Sequence, residues 1–251
     1  IDSNKGYAIQ IMKMCEAFKN ASVDVELISV RYKKNTDINK EFLFNYFNIK
    51  NRFELKFEEI PFIIKLGKLG YFIQGLFFSF KIFFKNKISL GDIIYTRDWI
   101  PALFFSLFGK KVFFEIHTHH GSLGARITNH FVSGVVVISR GLKDFYSKKI
   151  ADKPIYVSPS GVDLLDFSSK GDVVDIRSEL SLTKDTKIIM YTGHLYDWKG
   201  VDILIKSSNK LDNNIKIVCI GGLNNKLQLD SKDIKNIFFV QGKPFNIIAS
   251  Y

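Results

Sequence analysis

Seven short runs set the limits on what this chain can fold into. They are DIIYT (Asp92–Thr96), KVFFEIH (Lys111–His117), GVVVIS (Gly134–Ser139), PIYVS (Pro154–Ser158), KIIMYT (Lys187–Thr192), IKIVCI (Ile215–Ile220) and NIFFV (Asn236–Val240). They are almost continuously apolar, as strands are when helices cover both faces of a sheet. Segments with helical spacing separate most of them. Tyr7–Lys19 places Ala8, Ile11, Met12, Cys15 and Phe18 on one side, and Ile100–Phe108, Leu123–Phe131, Gly141–Ile150 and Gly200–Leu211 follow. An earlier strand is predicted over Val23–Val30, whereas residues 31–59 are polar and irregular and give only weak strand signals. Alternating strands and helices predict an α/β fold with parallel sheets. A turn-rich join, Pro159–Ser169, interrupts the alternation before it restarts, which predicts two domains, 1–160 and 161–251.

Charge is unevenly divided. Residues 1–160 hold 24 Lys and Arg against 14 Asp and Glu, and residues 161–251 hold 12 against 11. The basic first part suits an anionic partner, whether a membrane surface, a phosphorylated acceptor or nucleic acid, and equally suits lysine-rich solubility. Cys15 and Cys219 lie in apolar settings and form no disulfide framework, so a reducing cytoplasm is the expected compartment. The chain begins at Ile1 without the basic-then-apolar layout of a signal peptide and ends at PFNIIASY in mid-pattern, as expected of a fragment.

Ile60–Phe84, IPFIIKLGKLGYFIQGLFFSFKIFF, is long enough to cross a bilayer. Lys65, Lys68 and Lys81 interrupt it, each costing about 2.5–3.5 kcal/mol at a membrane centre. Gln74, Lys81 and Lys85 share one helical face and leave the rest apolar. The expectation is a helix packed on the sheet, with a peripheral helix at a headgroup layer as the alternative.

The strands end in chemically useful residues. Thr96-Arg97-Asp98, His117, Ser139, Ser158-Pro159-Ser160-Gly161, Gly193-His194 and Gly221-Gly222 each follow a strand. Ligands of open α/β sheets bind outside such carboxyl ends, and two sheets joined by a hinge predict a cleft. Ser3-Asn4-Lys5-Gly6 leads into the first helix, where free N–H groups and the helix dipole attract anions; an ordinary helix cap is the plainer alternative. No GxGxxG or GxxxxGK[ST] is present. In YTGHLYDWKG (Tyr191–Gly200) a strand ends in glycine and Lys199 precedes the next helix, an arrangement suited to a diphosphate.

These segments in this order, NKGYAIQIMKMCEAF, DIIYTRD, FEIH, VVVISRGLKDFY, SPSGVD, YTGHLYDWKGVDILI and the IGG strand end, resemble the retaining GT-B glycosyltransferases of family 4. The resemblance covers nearly the whole chain. It implies two Rossmann-like domains, the first lacking its initial strand and the second lacking the family's E-x7-E carboxylates. It further implies that Lys5 and Gly6 approach the donor phosphates, that His117 lies near the transferred sugar, and that Ser160 and Gly161 sit at the hinge turn beside the donor. Gly193 and Lys199 match the donor-diphosphate loop, with His194 where the family commonly has arginine. The implied reaction uses a nucleotide sugar and retains configuration; with Lys199 and helix ends to stabilise the leaving diphosphate, no metal or other cofactor is expected. The basic first part and its apolar helix suggest a lipid-linked or membrane-proximal acceptor, such as a growing surface polysaccharide, with peripheral contact to an anionic membrane at its cytoplasmic face as the related expectation, and nucleic acid is not an expected partner. A non-catalytic nucleotide-sugar-binding or membrane-peripheral scaffold is the alternative. An oxidoreductase ranks lower without the dinucleotide fingerprint.

Three of the five histidines fall at His117, His119 and His120. Glu115, His117 and His119 alternate on one strand face, so a metal triad is geometrically possible. Metal sites usually draw ligands from more than one element, which favours unequal roles, with His117 at the cleft and the other two in a loop.

Overall fold

A computed structural model of the chain describes residues 6–32, 39–85, 88–89, 91–119, 122–150, 152–168, 174–222 and 235–251. The chain divides into two compact units. One comprises Ile1–Leu43 and Ile49–Val162, and the other Phe44–Asn48 and Asp163–Tyr251.

In the first unit, helix α1 (Gly6–Asn20) leads to strand β1 (Glu26–Tyr32), and helix α2 (Lys40–Tyr46), shared with the second unit, precedes strand β2 (Glu54–Ile60). Helix α3 (Gly67–Lys85) follows. Then β3 (Ile93–Thr96), α4 (Trp99–Leu107), β4 (Lys111–Ile116), α5 (Leu123–Phe131), β5 (Gly134–Val137), α6 (Arg140–Ser147) and β6 (Ile155–Val157) alternate. Strands β3 to β6 form one parallel sheet in chain order. Its core is built from β4 and β5, with Val112, Phe114, Ile116, Val135 and Val137 buried under Phe105 of α4 and Tyr146 of α6. The helices start where side chains can cap them: Asp98, Ser122 and Ser139 accept from the first-turn N–H groups of α4, α5 and α6.

Strands β1 and β2 form a separate parallel pair. Residues 31–59 thus contain a helix and a strand that hydrophobic patterning did not resolve. The reason lies in the β2 sequence ELKFEEI, whose charges are held by partners. Lys56 pairs with Glu26, and Arg31 with Glu59 across the strands. Among the described residues no strand joins β1 to β3. A cavity of about 540 Å³ opens between them, lined by both strands and floored by Phe78, Ile82 and Phe105.

Helix α3 departs from expectation. Three of its polar side chains bond back to the domain, while Lys68 stays exposed. Gln74, 6% exposed, accepts from the backbone N–H of Ile63. Lys85 donates to Glu58 at 2.7 Å, and Lys81 donates to the Glu59 carbonyl at 2.7 Å and lies 3.3 Å from Glu58, which is only 2% exposed. Part of the face packed on α4 is made of small residues, next to Phe83, which packs against Phe104 and Phe105. A side-chain carbon at Gly75 would stand 2.7 Å from Ile100, and Ser79 is fully buried, its hydroxyl donating to the Gly75 carbonyl. Ile82 enters the core with Leu76, Phe78 and Phe83 packed beside it, while Leu69, Ile73, Phe77, Phe80 and Phe84 stay exposed. Among the described residues no helix is long and apolar enough to cross a membrane.

The second unit holds α7 (Leu164–Ser168), α8 (Ile176–Glu179), β7 (Lys187–Thr192), α9 (Val201–Ser208), β8 (Ile215–Gly221), β9 (Ile237–Gln241) and α10 (Phe245–Ile248). Strands β7, β8 and β9 are parallel and adjacent in that order. Ile217 and Cys219 face a cluster with Val201 and Ile205 of α9, while Val218 and Ile220 face Ile176 on the opposite side. The continuous IKIVCI run is therefore covered on both faces.

Candidate functional site

Each unit gathers polar groups at the carboxyl ends of its strands. In the first, β4 delivers Glu115 and then His117. Glu115 is 3% exposed, at the end of an otherwise apolar strand. Its Oε1 accepts from Gln10 Nε2 of α1 at 2.9 Å and from His117 Nε2 at a short separation. A carboxylate only accepts, so His117 carries a proton on Nε2, and Nδ1 is its remaining atom for chemistry. Gln10 Nε2 also lies 3.5 Å from His117 Nε2, but both nitrogens donate to the same oxygen. Arg97, just past β3, donates from Nη1 to Gln10 Oε1 at 3.2 Å. The result is a chain Arg97–Gln10–Glu115–His117 across two strand ends and one helix. Tyr95 of β3 borders it. Burial, and then the Glu115 charge, push the Tyr95 hydroxyl well above its usual range.

Helix α1 can hold Gln10 there because it is anchored at its other end. Buried Glu16 accepts from the backbone N–H groups of Lys50 and Asn51. Asp98, capping α4, also has its pKa raised by burial, against opposing hydrogen bonds from Ile100 N–H and Tyr71.

Glu115 and His117 therefore meet, while His119 leaves the group, its ring packing edge-on to Phe145 with centroids 4.0 Å apart. Among the described residues no three His, Cys, Asp or Glu side chains converge as metal ligands would. Ser3, Asn4, Lys5 and His120 lie outside the described residues. Gly6 opens α1 and is exposed; Ser160 and Gly161 are exposed after β6. An added side-chain carbon at Gly6 or Gly161 would meet nothing within 4 Å.

The second unit is tighter. Gly193 follows β7 with φ +144°, a conformation suited to glycine, and its N–H donates to the Ile220 carbonyl at 2.9 Å. A side-chain carbon on Gly221 would fall 1.7 Å from the Gly193 carbonyl oxygen, and one on Gly222 would fall 2.8 Å from His194 Nδ1. Gly242, after β9, backs onto the same two glycines. The loop beyond Gly193 is fixed by Tyr191, whose hydroxyl donates to the His194 carbonyl at 2.9 Å. His194, Tyr196 and Trp198 then stack in sequence, with centroids 5.1 and 5.8 Å apart. The Lys199 ammonium lies 4.3 Å from the Trp198 ring centroid. Lys199 pairs with no carboxylate among the described residues. Gly200, φ +74°, caps α9 without a side-chain hydrogen bond, so the first-turn N–H groups of α9 have no side-chain acceptor at the cap.

Sequence reasoning selected His117, Gly193, His194 and Lys199 but gave Gln10 and Arg97 no part in the His117 site and considered Glu115 only as a metal ligand. The available signal was a carboxylate in a strand otherwise buried on both faces, which demands a partner.

No protein-family model matches the chain. An uncharacterised glycosyltransferase of Methanocaldococcus jannaschii is 26% identical over 228 residues, covering 80% of this chain and 55% of the relative, so the chain spans about half the length of that curated relative. Among solved structures, Anabaena HepE in complex with UDP superposes with a TM-score of 0.65 at 13% identity, covering 98% of this chain and 68% of that one. Staphylococcus aureus TarM, solved with UDP, gives 0.67 at 11% identity, covering 97% and 76%. The UDP-GlcNAc 2-epimerase of Neisseria meningitidis gives 0.60 at 11% identity, covering 96% and 71%. The fold is thus the α/β, parallel-sheet GT-B arrangement that glycosyltransferases and these epimerases share.

Proposed function

We propose that the chain is part of a retaining, family-4-like glycosyltransferase that moves a sugar from a nucleotide-diphosphate donor to an acceptor. The observation that carries this reading is in the second unit. Close-packed glycines fix the ends of β7, β8 and β9 beside the loop, an uncapped helix start presents N–H donors, and Lys199 adds an ammonium with no carboxylate partner among the described residues. Breaking the glycosidic bond builds negative charge on the leaving diphosphate. Donors fixed in advance stabilise such charge, each by about 2.7–4 kcal/mol where measured at oxyanions. Lysine and helix N–H groups supply that stabilisation without a metal ion, so activity should persist in a chelator.

In the first unit, His117 is the residue proposed to touch the transferred sugar, oriented by Glu115 and, through it, by Gln10 and Arg97. Lys5, Gly6, Ser160 and Gly161 are proposed donor contacts on the strength of the family resemblance. Retention, and an acceptor that is lipid-linked or a growing polysaccharide, are part of the same reading. Transfer is preferred over epimerisation because the sequence likeness over most of the chain is to a glycosyltransferase, whereas the epimerases share only the fold.

Titrating UDP into the chain and into Lys199→Ala by calorimetry tests the reading. Binding should weaken by about tenfold or more in the variant, as expected for loss of a charge-assisted contact. Equal affinities would remove Lys199 from the site.

A further inference from the structure

The outer face of α3 is an apolar stripe that the described residues leave largely uncovered, Phe80 alone of its aromatic rings meeting Phe104 of α4 edge-on. Leu69, Ile73, Phe77, Phe80 and Phe84 recur at helical spacing and fall within about 80° around the helix axis, given 3.6 residues per turn. All five are exposed, Leu69 at 62% and Phe84 at 78%. They point away because the opposite face, with Ser79 and Ile82 buried and Gly75 against Ile100, packs on the domain, and because Gln74, Lys81 and Lys85 are bonded to it. The stripe continues sideways. Helix α4 packs between α3 and α5, touching Gly75 through Ile100 and Gly124 through Trp99. On α5, Leu123, Ile127 and Phe131, spaced by four, are again exposed.

The charge around this face identifies its occupant. From Pro61 to Phe114 the sequence holds two carboxylates, Asp92 and Asp98, against seven lysines and Arg97. Helices α3, α4 and α5 contain none at all. Lys65 and Lys68 are exposed at the start of the stripe. A second copy of the chain would present the same carboxylate-free surface and would leave those ammonium groups without counter-charge. A lipid surface bearing anionic headgroups supplies both an apolar layer for the phenylalanines and negative charge for the lysines.

We propose that α3 lies in the plane of an anionic membrane, its phenylalanine stripe sunk to the acyl boundary and Lys65 and Lys68 at the headgroups. This is independent of the nucleotide-sugar chemistry proposed above. The face is not a crossing segment. It is one side of a folded domain, held flat by the Glu58 contacts and the tight packing on α4.

Sedimentation with vesicles tests it, using phosphatidylcholine alone and an equal mixture of phosphatidylcholine and phosphatidylglycerol. The chain should sediment with the anionic vesicles about tenfold more strongly than with the neutral ones, and less so as salt rises. The double variant Phe77→Ser/Phe84→Ser should lose about tenfold or more of that binding. Lys65→Glu/Lys68→Glu should lose the preference between the two lipids. These side chains are exposed, so circular dichroism should match the unmodified chain and UDP affinity should be unchanged, which separates this test from that of Lys199. Equal sedimentation of the chain and the phenylalanine variant would overturn the proposal. So would a lipid-free dimer that the phenylalanine variant dissociates while the unmodified chain ignores vesicles.

Discussion

The α-carbon of Gly221 lies so close to the carbonyl of Gly193 that a first side-chain carbon would stand 1.7 Å from that oxygen. Neither partner can yield easily, since both are backbone at adjacent strand ends. Gly221→Ala should therefore destabilise the second unit by at least about 3 kcal/mol, the upper range for overpacking. Gly161→Ala, where the added carbon meets nothing within 4 Å, should change stability by less than about 1 kcal/mol. Thermal denaturation of the two variants side by side checks the contrast.

Glu115 holds His117 by one ring nitrogen, and that hold is separable from its bulk. Glu115→Leu should leave the donors of Gln10 and His117 without their shared acceptor, at a cost of about 1–3 kcal/mol. Imidazole nitrogen shifts measured by NMR should show His117 protonated on Nε2 in the unmodified chain and a mixture of tautomers in the variant. Unaltered shifts would mean that Glu115 does not set the tautomer.

Glu58 ties the end of α3 to β2 through Lys81 and Lys85. Both ammonium groups reach solvent, so its removal leaves no stranded buried cation. Glu58→Ala should cost about 1–2 kcal/mol, seen as a lower urea midpoint with an unchanged slope. A shallower slope would mean that α3 detaches in the folded state.

Burial pushes the Cys15 thiol from 9.0 to about 12 and the Cys219 thiol to about 11. The folded chain thus keeps protons that the unfolded chain releases near pH 9. Between those values the unfolded state binds fewer protons, so stability falls as pH rises; below pH 9 these groups have no effect. Tyr71 and Tyr95, also raised by burial, act in the same direction at higher pH. The melting temperature should be level to about pH 9 and fall beyond it. Because thiolate is the reactive form, a thiol reagent at pH 8 should label neither cysteine until the chain unfolds.

Much of the architecture was legible from the sequence, for a physical reason. Strands such as IKIVCI and GVVVIS are apolar because both faces are covered, and burial of that kind leaves a contiguous trace. The strand-end residues His117, Gly193 and His194 followed from the same trace. What stayed hidden depends on side-chain partners distant in sequence. ELKFEEI gives only a weak strand signal until Glu58 finds Lys81 and Lys85. The polar face of α3 reads as solvent-facing until those same bonds turn it inward. Gln10 reads as an ordinary helix residue until Glu115, 105 positions away, supplies its acceptor.

The opening between β1 and β3 carries a further consequence. Each of these strands presents an edge there, and main-chain donors and acceptors along an open edge are a template for any extended peptide. The slot's floor of Phe78, Ile82 and Phe105 would reward alternate apolar side chains on such a guest. One extended segment hydrogen-bonded to both edges would join β1–β2 and β3–β6 into a single parallel sheet.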